Sequence, residues 1–252
     1  MDLRELGDAG CNRHPWELIR LEALKEILQR NLISMHGMHI IDIGCGDGYM
    51  SRELFRNADI GSMTCIDTNL SDEQISALSG INYRTSYFNN YAPLKRNFYD
   101  LVLFLDVIEH VKDDAGLLSG VAGSYLAAEG HMLITVPAFQ ALFGTHDEFL
   151  GHYRRYAIKN LHRTIVGSGL KIISSGYMFS TLLVIRFLMH WSDKIFGAQR
   201  PGEGGVGNWG HGKLISDIVL FVLRVDNALM FALARLGIKI PGLTLWALCK
   251  KQ

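Results

Sequence analysis

Apolar residues recur along this chain in two rhythms, and the two alternate. From Pro15 the spacing is helical, with Leu18, Leu21, Leu24, Ile27 and Leu28 on one face and Pro15 at the first helical position. Short continuous apolar runs follow: Ile40 to Ile43, Met63 to Ile66, Tyr99 to Val107 and His131 to Pro137. Their length and their β-branched and aromatic content suit strands buried on both faces. A fainter run from Ile81 to Ser86 predicts a third strand, and helical stretches lie at Tyr49 to Arg56 and Asp72 to Leu78. Such alternation predicts right-handed strand–helix–strand crossovers and a parallel sheet, with ligands outside the carboxyl ends of the strands. From Ala138 to Ile158 no strand is evident. A helix is then predicted from Lys159 to Val166, ended by Gly167 and Gly169, followed by strands at Leu170 to Gly176 and, after Pro241-Gly242, Leu243 to Cys249.

Hydrophobic content is 48% and is concentrated late. Tyr177 to Trp191 and Leu214 to Leu236 predict long apolar helices. Arg186 interrupts the first, and Asp217, Arg224, Asp226 and Arg235 the second, so neither offers the ~18 nearly uncharged residues of a spanning helix. They read as lid or dimer packing, or as an interfacial surface flanked by Arg186 and Lys194. Between them lies a glycine-dense connector, Ala198 to Gly212. A net charge of +0 argues against a sequence-independent grip on nucleic acid. The four cysteines are scattered, with no C-x-x-C and no leader pattern, which sets a cytoplasmic expectation with contact at the inner membrane face kept open.

The chemistry begins at I-I-D-I-G-C-G-D-G, Ile40 to Gly48. Glycines at 44, 46 and 48 let the backbone bend tightly over a ligand. The G-x-G-x-G spacing lacks the x-x-G of a dinucleotide loop, which discriminates against nicotinamide chemistry, and Asp42 suits a ligand carrying an ammonium group. Asp67, at the end of the second strand, stands where an acid accepts hydrogen bonds from ribose hydroxyls; a turn aspartate would look the same. Cys45 reads as the small side chain that the turn tolerates.

Three segments in order, Asp42 to Gly48, Asp106 to Val111 and Leu126 to Pro137, read D-I-G-C-G-x-G, D-V-I-E-H-V and L-x-x-x-G-x-x-x-I-x-V-P. They resemble the motifs of class I S-adenosylmethionine-dependent methyltransferases of the bacterial small-molecule and glycan-pathway type, over roughly residues 14 to 175. The resemblance implies one α/β domain over 1–252: a Rossmann-like, doubly wound, seven-stranded sheet, mostly parallel with an antiparallel seventh strand. It places an N-terminal helix at 14–36, the core at 38–176 and 242–250, and an apolar helical insertion at 177–241. It implies S-adenosyl-L-methionine as cofactor, with Asp42, Gly44, Cys45, Gly46 and Gly48 at the methionine end, Asp67 and Thr68 at the ribose, and Asp106 and Val107 beside them. The adenine contact is expected just after strand three, from Ser86, Tyr87 or Asn89, with Tyr87 preferred; the acid usual at that point is missing.

On the acceptor side His110 is a candidate general base, with a helix-capping role as its alternative. D-V-I-E-H also resembles, with Asp for Glu, the metal-binding segment of ubiquinone-pathway O-methyltransferases, in which Asp106, Glu109 and His110 would be the donors; the expectation here is no metal. Phe143 to Tyr156 resembles the H-D-x-x-x-G-H-Y-R-R-Y pattern of bacterial methyltransferases of glycan and lipid-linked sugar pathways. There His146 and His152 are further candidates for orienting or deprotonating a hydroxyl, and Tyr153, Arg154, Arg155 and Tyr156 are candidate acceptor contacts, unless the loop bonds only to itself. His14 to Glu17 is expected to fold over the cofactor, with Trp16 shielding the site or anchoring its helix. The expected reaction is O-methylation of a small or lipid-linked acceptor: a sugar, a polyprenyl or a quinone-like molecule. A homodimer is one expected assembly. The alternative is a catalytically silent, cofactor-binding partner or regulatory subunit.

Overall fold

The computed structural model describes residues 13–31, 34–79, 84–196 and 209–252. Cys11, the start of the predicted third strand and most of the glycine-dense connector lie outside the described residues. Helix α1 (Pro15–Asn31) precedes β1 (His39–Ile43), α2 (Tyr49–Leu54), β2 (Ser62–Ile66), α3 (Asp72–Ser79), β3 (Thr85–Phe88) and β4 (Tyr99–Leu105). Then come α4 (Asp114–Ser124), β5 (Leu126–Pro137), α5 (Thr145–Leu150), α6 (Ile158–Gly167), β6 (Leu170–Met178), α7 (Ser180–Phe196), α8 (Lys213–Arg235) and β7 (Thr244–Lys251). The sheet order is β3-β2-β1-β4-β5-β7-β6, parallel except for β7, which runs antiparallel to both neighbours. This is the doubly wound, Rossmann-like sheet expected from the sequence. Its order reverses between β1 and β4, and that switch opens a crevice at the carboxyl ends of both strands.

Strand alternation sends successive residues to opposite faces. Ile40, Leu101, Leu103 and Leu133 pack with Ile19, Leu24, Ile27 and Leu28 of α1 and with Leu223 and Phe231 of α8. Ile41, Val102, Phe104 and Ile134 pack on the other face with Leu118 and Val121 of α4 and Leu161 and Ile165 of α6. The helical face predicted for α1 is thus joined by Ile19 and, unexpectedly, by Arg20, which is 2% exposed.

Several boundaries differ from the sequence expectation. β5 begins at Leu126, five residues early, because a register shift opposite Tyr99 and Leu101 lets the weakly apolar L-A-A-E-G stretch join the ladder. β6 continues to Met178, so Tyr177 belongs to a strand and not to the apolar helix. β4 stops at Leu105, where Asp106 turns away with φ +59°. Phe139 and Phe179, just beyond β5 and β6, also have positive φ, a conformation that costs an L-residue about 1–2 kcal/mol.

The insertion is clamped at its base. Leu243 N–H donates to Phe179 O at 3.1 Å, and Ala138 N–H donates to Leu243 O at 2.9 Å. Asp226, which interrupts the apolar pattern of α8, is buried and caps α7: its carboxylate accepts from Ser180 Oγ and from Thr181 N at 3.0 Å. Neighbouring Asn227 Oδ1 accepts from Phe179 N at 3.0 Å. Both side chains satisfy N–H groups at the start of a helix that has no cap of its own. Among the described residues no helix is long and apolar enough to cross a membrane.

Candidate active site

A cavity of about 840 Å³ opens over the carboxyl ends of β1, β2, β4 and β5. One wall is the glycine turn. Gly44 has φ +76°, and a Cβ there would sit 2.5 Å from Val107 Cγ2; Gly48 has φ +66°, and its Cβ would meet the Tyr87 ring at 2.7 Å. Only glycine allows this approach. Gly44, Asp67, Thr68, Asp106 and Val107 line the cavity. Asp67 ends β2 and is held in a turn, accepting from Gly46 N at 3.0 Å and Asn69 N at 2.9 Å. Its remaining lone pairs can still meet ribose hydroxyls.

Asp42, Cys45, Gly46 and Gly48 lie behind this wall and do not line the cavity. Asp42 is 1% exposed; one carboxylate oxygen takes the Ser51 hydroxyl and the other has no hydrogen-bond partner. Burial raises its pKa to about 6. A carboxyl whose folded pKa is raised stabilises the fold below its unfolded value of about 3.9 and loses that contribution as pH rises through about 6. Asp42→Asn is therefore expected to raise the melting temperature of the ligand-free protein at pH 8 by a few degrees while weakening cofactor binding. Differential scanning fluorimetry with and without cofactor checks both signs. The Cys45 thiol is turned toward Cys65, and that hydrogen bond together with burial pushes it well above its usual range, as befits a structural sulfur.

Tyr87 is a correction. Strand alternation carries it beneath the glycine turn, where it is 3% exposed and its hydroxyl accepts from Arg52 at 3.1 Å. Ser86 is exposed to solvent, and the Asn89 amide donates to Leu70 O at 3.4 Å. None of the three lines the cavity, whereas Asn69 and Tyr91 do. Tyr91, past the turn after β3, is the aromatic ring available to a base.

The loop Phe143 to Tyr156 forms a hydrogen-bonded assembly around Asp147, which is wholly buried. Its carboxylate accepts from His152 Nδ1 at 2.9 Å, Arg155 Nε at 2.7 Å and Gly144 N at 3.0 Å. Burial pushes its pKa up, but these partners outweigh burial and hold it at about 2. The His152 ring stands edge-on to His110, with centroids 4.5 Å apart. His110, His146, His152, Tyr153 and Arg155 line the cavity. Arg154 and Tyr156 do not: Arg154 donates to Lys112 O at 2.7 Å and pairs with Asp114 at 3.1 Å, and the Tyr156 hydroxyl donates to Asp114 at 2.7 Å. These two tie the loop to α4. Asp147 is the D of the H-D-x-x-x-G-H-Y-R-R-Y pattern and is not among the candidate residues, because the pattern does not tell a buried hub from a loop carboxylate.

Beneath the histidines lies Glu109, 0% exposed, with both carboxylate oxygens unpartnered. Burial, and then the nearby Asp106 charge, raise its pKa well above the ordinary range. One donor atom from each of Glu109, His110 and His152 lies within 4.8 Å of the others, a spacing that could accept a cation. Asp106, the third donor expected from sequence, is engaged elsewhere: Arg20 pairs with it at 2.8 Å, and Thr135 donates to it at 3.0 Å. Trp16 lines the cavity from α1, and its ring centroid lies 6.1 Å from that of Phe179.

Comparison with known proteins agrees with this geometry. The chain belongs to the methyltransferase domain family, whose model matches residues 13–175. It is class I, and its cofactor is S-adenosyl-L-methionine. Gly44 and Asp67 line the cavity, and the unpartnered oxygen of Asp42 lies buried nearby, a set of groups whose chemistry fits that molecule. Among curated relatives, the ubiquinone biosynthesis O-methyltransferase of Azorhizobium caulinodans is 31% identical over 133 residues, covering 48% of this chain and 52% of the relative. That of Mesorhizobium japonicum is 25% identical over 171 residues, 66% and 56% of the two chains. The chain spans about half the length of the curated relatives it matches. Among solved structures, Haemonchus contortus phosphoethanolamine N-methyltransferase 2 in complex with S-adenosyl-L-methionine superposes with a TM-score of 0.57 at 18% identity, covering 91% of this chain and 52% of that one. An S-adenosylmethionine-dependent methyltransferase from Mesorhizobium loti gives 0.56 at 13%, covering 92% and 100%. At these identities the likeness is one of fold.

Proposed function

We propose that this chain methylates a hydroxyl group of a small acceptor, with His152 as general base and Asp147 as the group that positions it. The observation that carries the reading is the Asp147–His152 pair, whose imidazole lines the same cavity as Gly44 and Asp67. When bound, S-adenosyl-L-methionine supplies an electrophilic methyl group on a cationic sulfur. The chain's task is alignment, exclusion of water and removal of one proton. Asp147 fixes Nδ1 of His152, which leaves Nε2 to take the hydroxyl proton while the oxygen–carbon bond forms and the carbon–sulfur bond breaks. The positive charge passes to the His152 imidazolium, which the Asp147 carboxylate stabilises. Arg20 holds Asp106 in its left-handed turn, and Trp16 covers the site from α1. The name of the curated relatives, ubiquinone biosynthesis O-methyltransferase, favours a phenolic or quinol-like hydroxyl over a sugar.

The test is transfer of labelled methyl to a panel of phenolic, sugar and polyprenyl alcohols, with the product analysed by mass spectrometry. A methyl ether is expected; methylation at nitrogen, or none on any acceptor, refutes the reading. His152→Gln is expected to lower turnover by about two to four orders of magnitude with cofactor affinity unchanged, read by steady-state kinetics beside calorimetry. Chelation with EDTA is expected to leave turnover within about twofold. A strict requirement for added magnesium would instead make Glu109, His110 and His152 metal ligands and retire the general-base assignment.

A further inference from the structure

The helices of the insertion leave a broad apolar face in solvent. On α8, Leu214, Ile218, Phe221, Val225 and Leu229 are each between 49% and 73% exposed. At ~100° per residue they fall on a stripe roughly 80° wide that runs along the helix. Opposite to it, Leu223, Asn227, Met230 and Phe231 are buried, facing α1 and β6. The stripe is therefore surplus to the fold. α7 is built alike: Val184, Leu188 and Trp191 are 58%, 62% and 58% exposed, while Leu182 and Arg186, on its other side, line the cavity. One layer of helix separates the reaction chamber from this surface.

Charge selects the occupant. Lys213, Asp217, Arg224 and Arg235 run along one edge of the α8 stripe, and Lys239 follows just beyond it. Glu22 of α1 pairs with Arg224 at 2.6 Å. Four cations thus face two acids at the margin, Asp217 and Glu22. An apolar stripe with a cationic margin on a helix that does not span a bilayer is the arrangement of an interfacial helix on anionic lipid. A second copy docked on the same face with its α8 antiparallel would set like charges together.

We infer that the α7–α8 face rests on an anionic lipid surface, from which the acceptor reaches the cavity past Leu182 and Arg186. The delivery of an acceptor rests on the O-methylation reading above; the lipid contact does not. Flotation of the full chain with vesicles of phosphatidylcholine alone, or mixed with phosphatidylglycerol, tests it. Binding to the mixed vesicles and little to the neutral ones is expected. Phe221→Asp combined with Leu229→Asp, both at exposed positions, is expected to weaken that binding by about tenfold or more with melting temperature and cofactor affinity unchanged. No flotation with either vesicle overturns the inference. So does a dimer in lipid-free light scattering that the double variant splits, since the face would then be a protein contact. Methylation of a water-soluble hydroxyl without vesicles reads the catalytic assignment separately, so either can fail alone.

Discussion

Asp147→Asn is expected to lower turnover by two to four orders of magnitude, the range that a positioned general base contributes. Asp147 is wholly buried and is shared by the His152 ring, the Arg155 guanidinium and the Gly144 amide. An asparagine offers one acceptor oxygen where three donors converge, and its own N–H groups oppose one of them. His152 then loses the contact that fixes its tautomer, and Arg155 keeps a buried charge without a counter-ion. Breaking a buried pair from one side costs about 3–5 kcal/mol, so a fall in melting temperature on the order of 10 °C should accompany the loss of turnover. The expected signature is a drop in kcat with cofactor affinity unchanged, because the partners of Asp147 are His152, Arg155 and Gly144 and include neither the glycine turn nor Asp67. A variant that is less stable but fully active would make Asp147 purely structural. The wild-type pH dependence follows the same logic: a carboxylate depressed to about 2 contributes its full stabilisation above the ordinary value of about 3.9 and loses it as pH falls toward 2. The variant should therefore show a shallower loss of stability on acidification.

The second large effect is expected at Gly44. Gly44→Val should abolish cofactor binding detectable by calorimetry. At φ +76° any L-residue costs about 1–2 kcal/mol, and the new Cβ would lie 2.5 Å from Val107 Cγ2. The turn can accept it only by moving away from β4 or into the cavity, and both displace the backbone that the cofactor must approach. Gly120→Ala in α4 is the control: nothing lies within 4 Å of its Cβ, and a helical alanine should add up to about 1 kcal/mol of stability with affinity unchanged. Retained cofactor affinity in Gly44→Val would place the binding site elsewhere.

The strands were legible because a parallel sheet buried on both faces demands runs such as I-I-D-I and Y-D-L-V-L-F-L, and few other structures do. The glycine turn was legible because positive φ leaves so narrow a choice of residue. Tyr87 misled because side-chain direction reverses at every step along a strand: a position near the site in sequence can lie under its floor, while Tyr91, past the turn, reaches the cavity. The Asp147–His152 pair was hidden for another reason. The two are joined through Gly151, which turns with φ +76° after the short α5, and no regular period relates them. Arg154 and Tyr156 look like ligand-binding groups in sequence, and only the position of Asp114 on α4 reveals them as ties. Arg20 shows the converse, a charge on the inner face of α1 whose partner Asp106 lies far along the chain.

The hydrogen bond between Phe179 and Leu243 brings the two ends of the insertion within one residue pair of each other, at the edge of a hydrogen-bonded antiparallel pair, β6 and β7. A segment whose ends are already joined can change length at little cost, since doubling a loop adds only about 0.6 kcal/mol of closure entropy. A graft between Phe179 and Leu243 that keeps the packing of Leu223 and Phe231 on α1 is expected to alter the approach to the cavity while leaving the β6–β7 ladder in place.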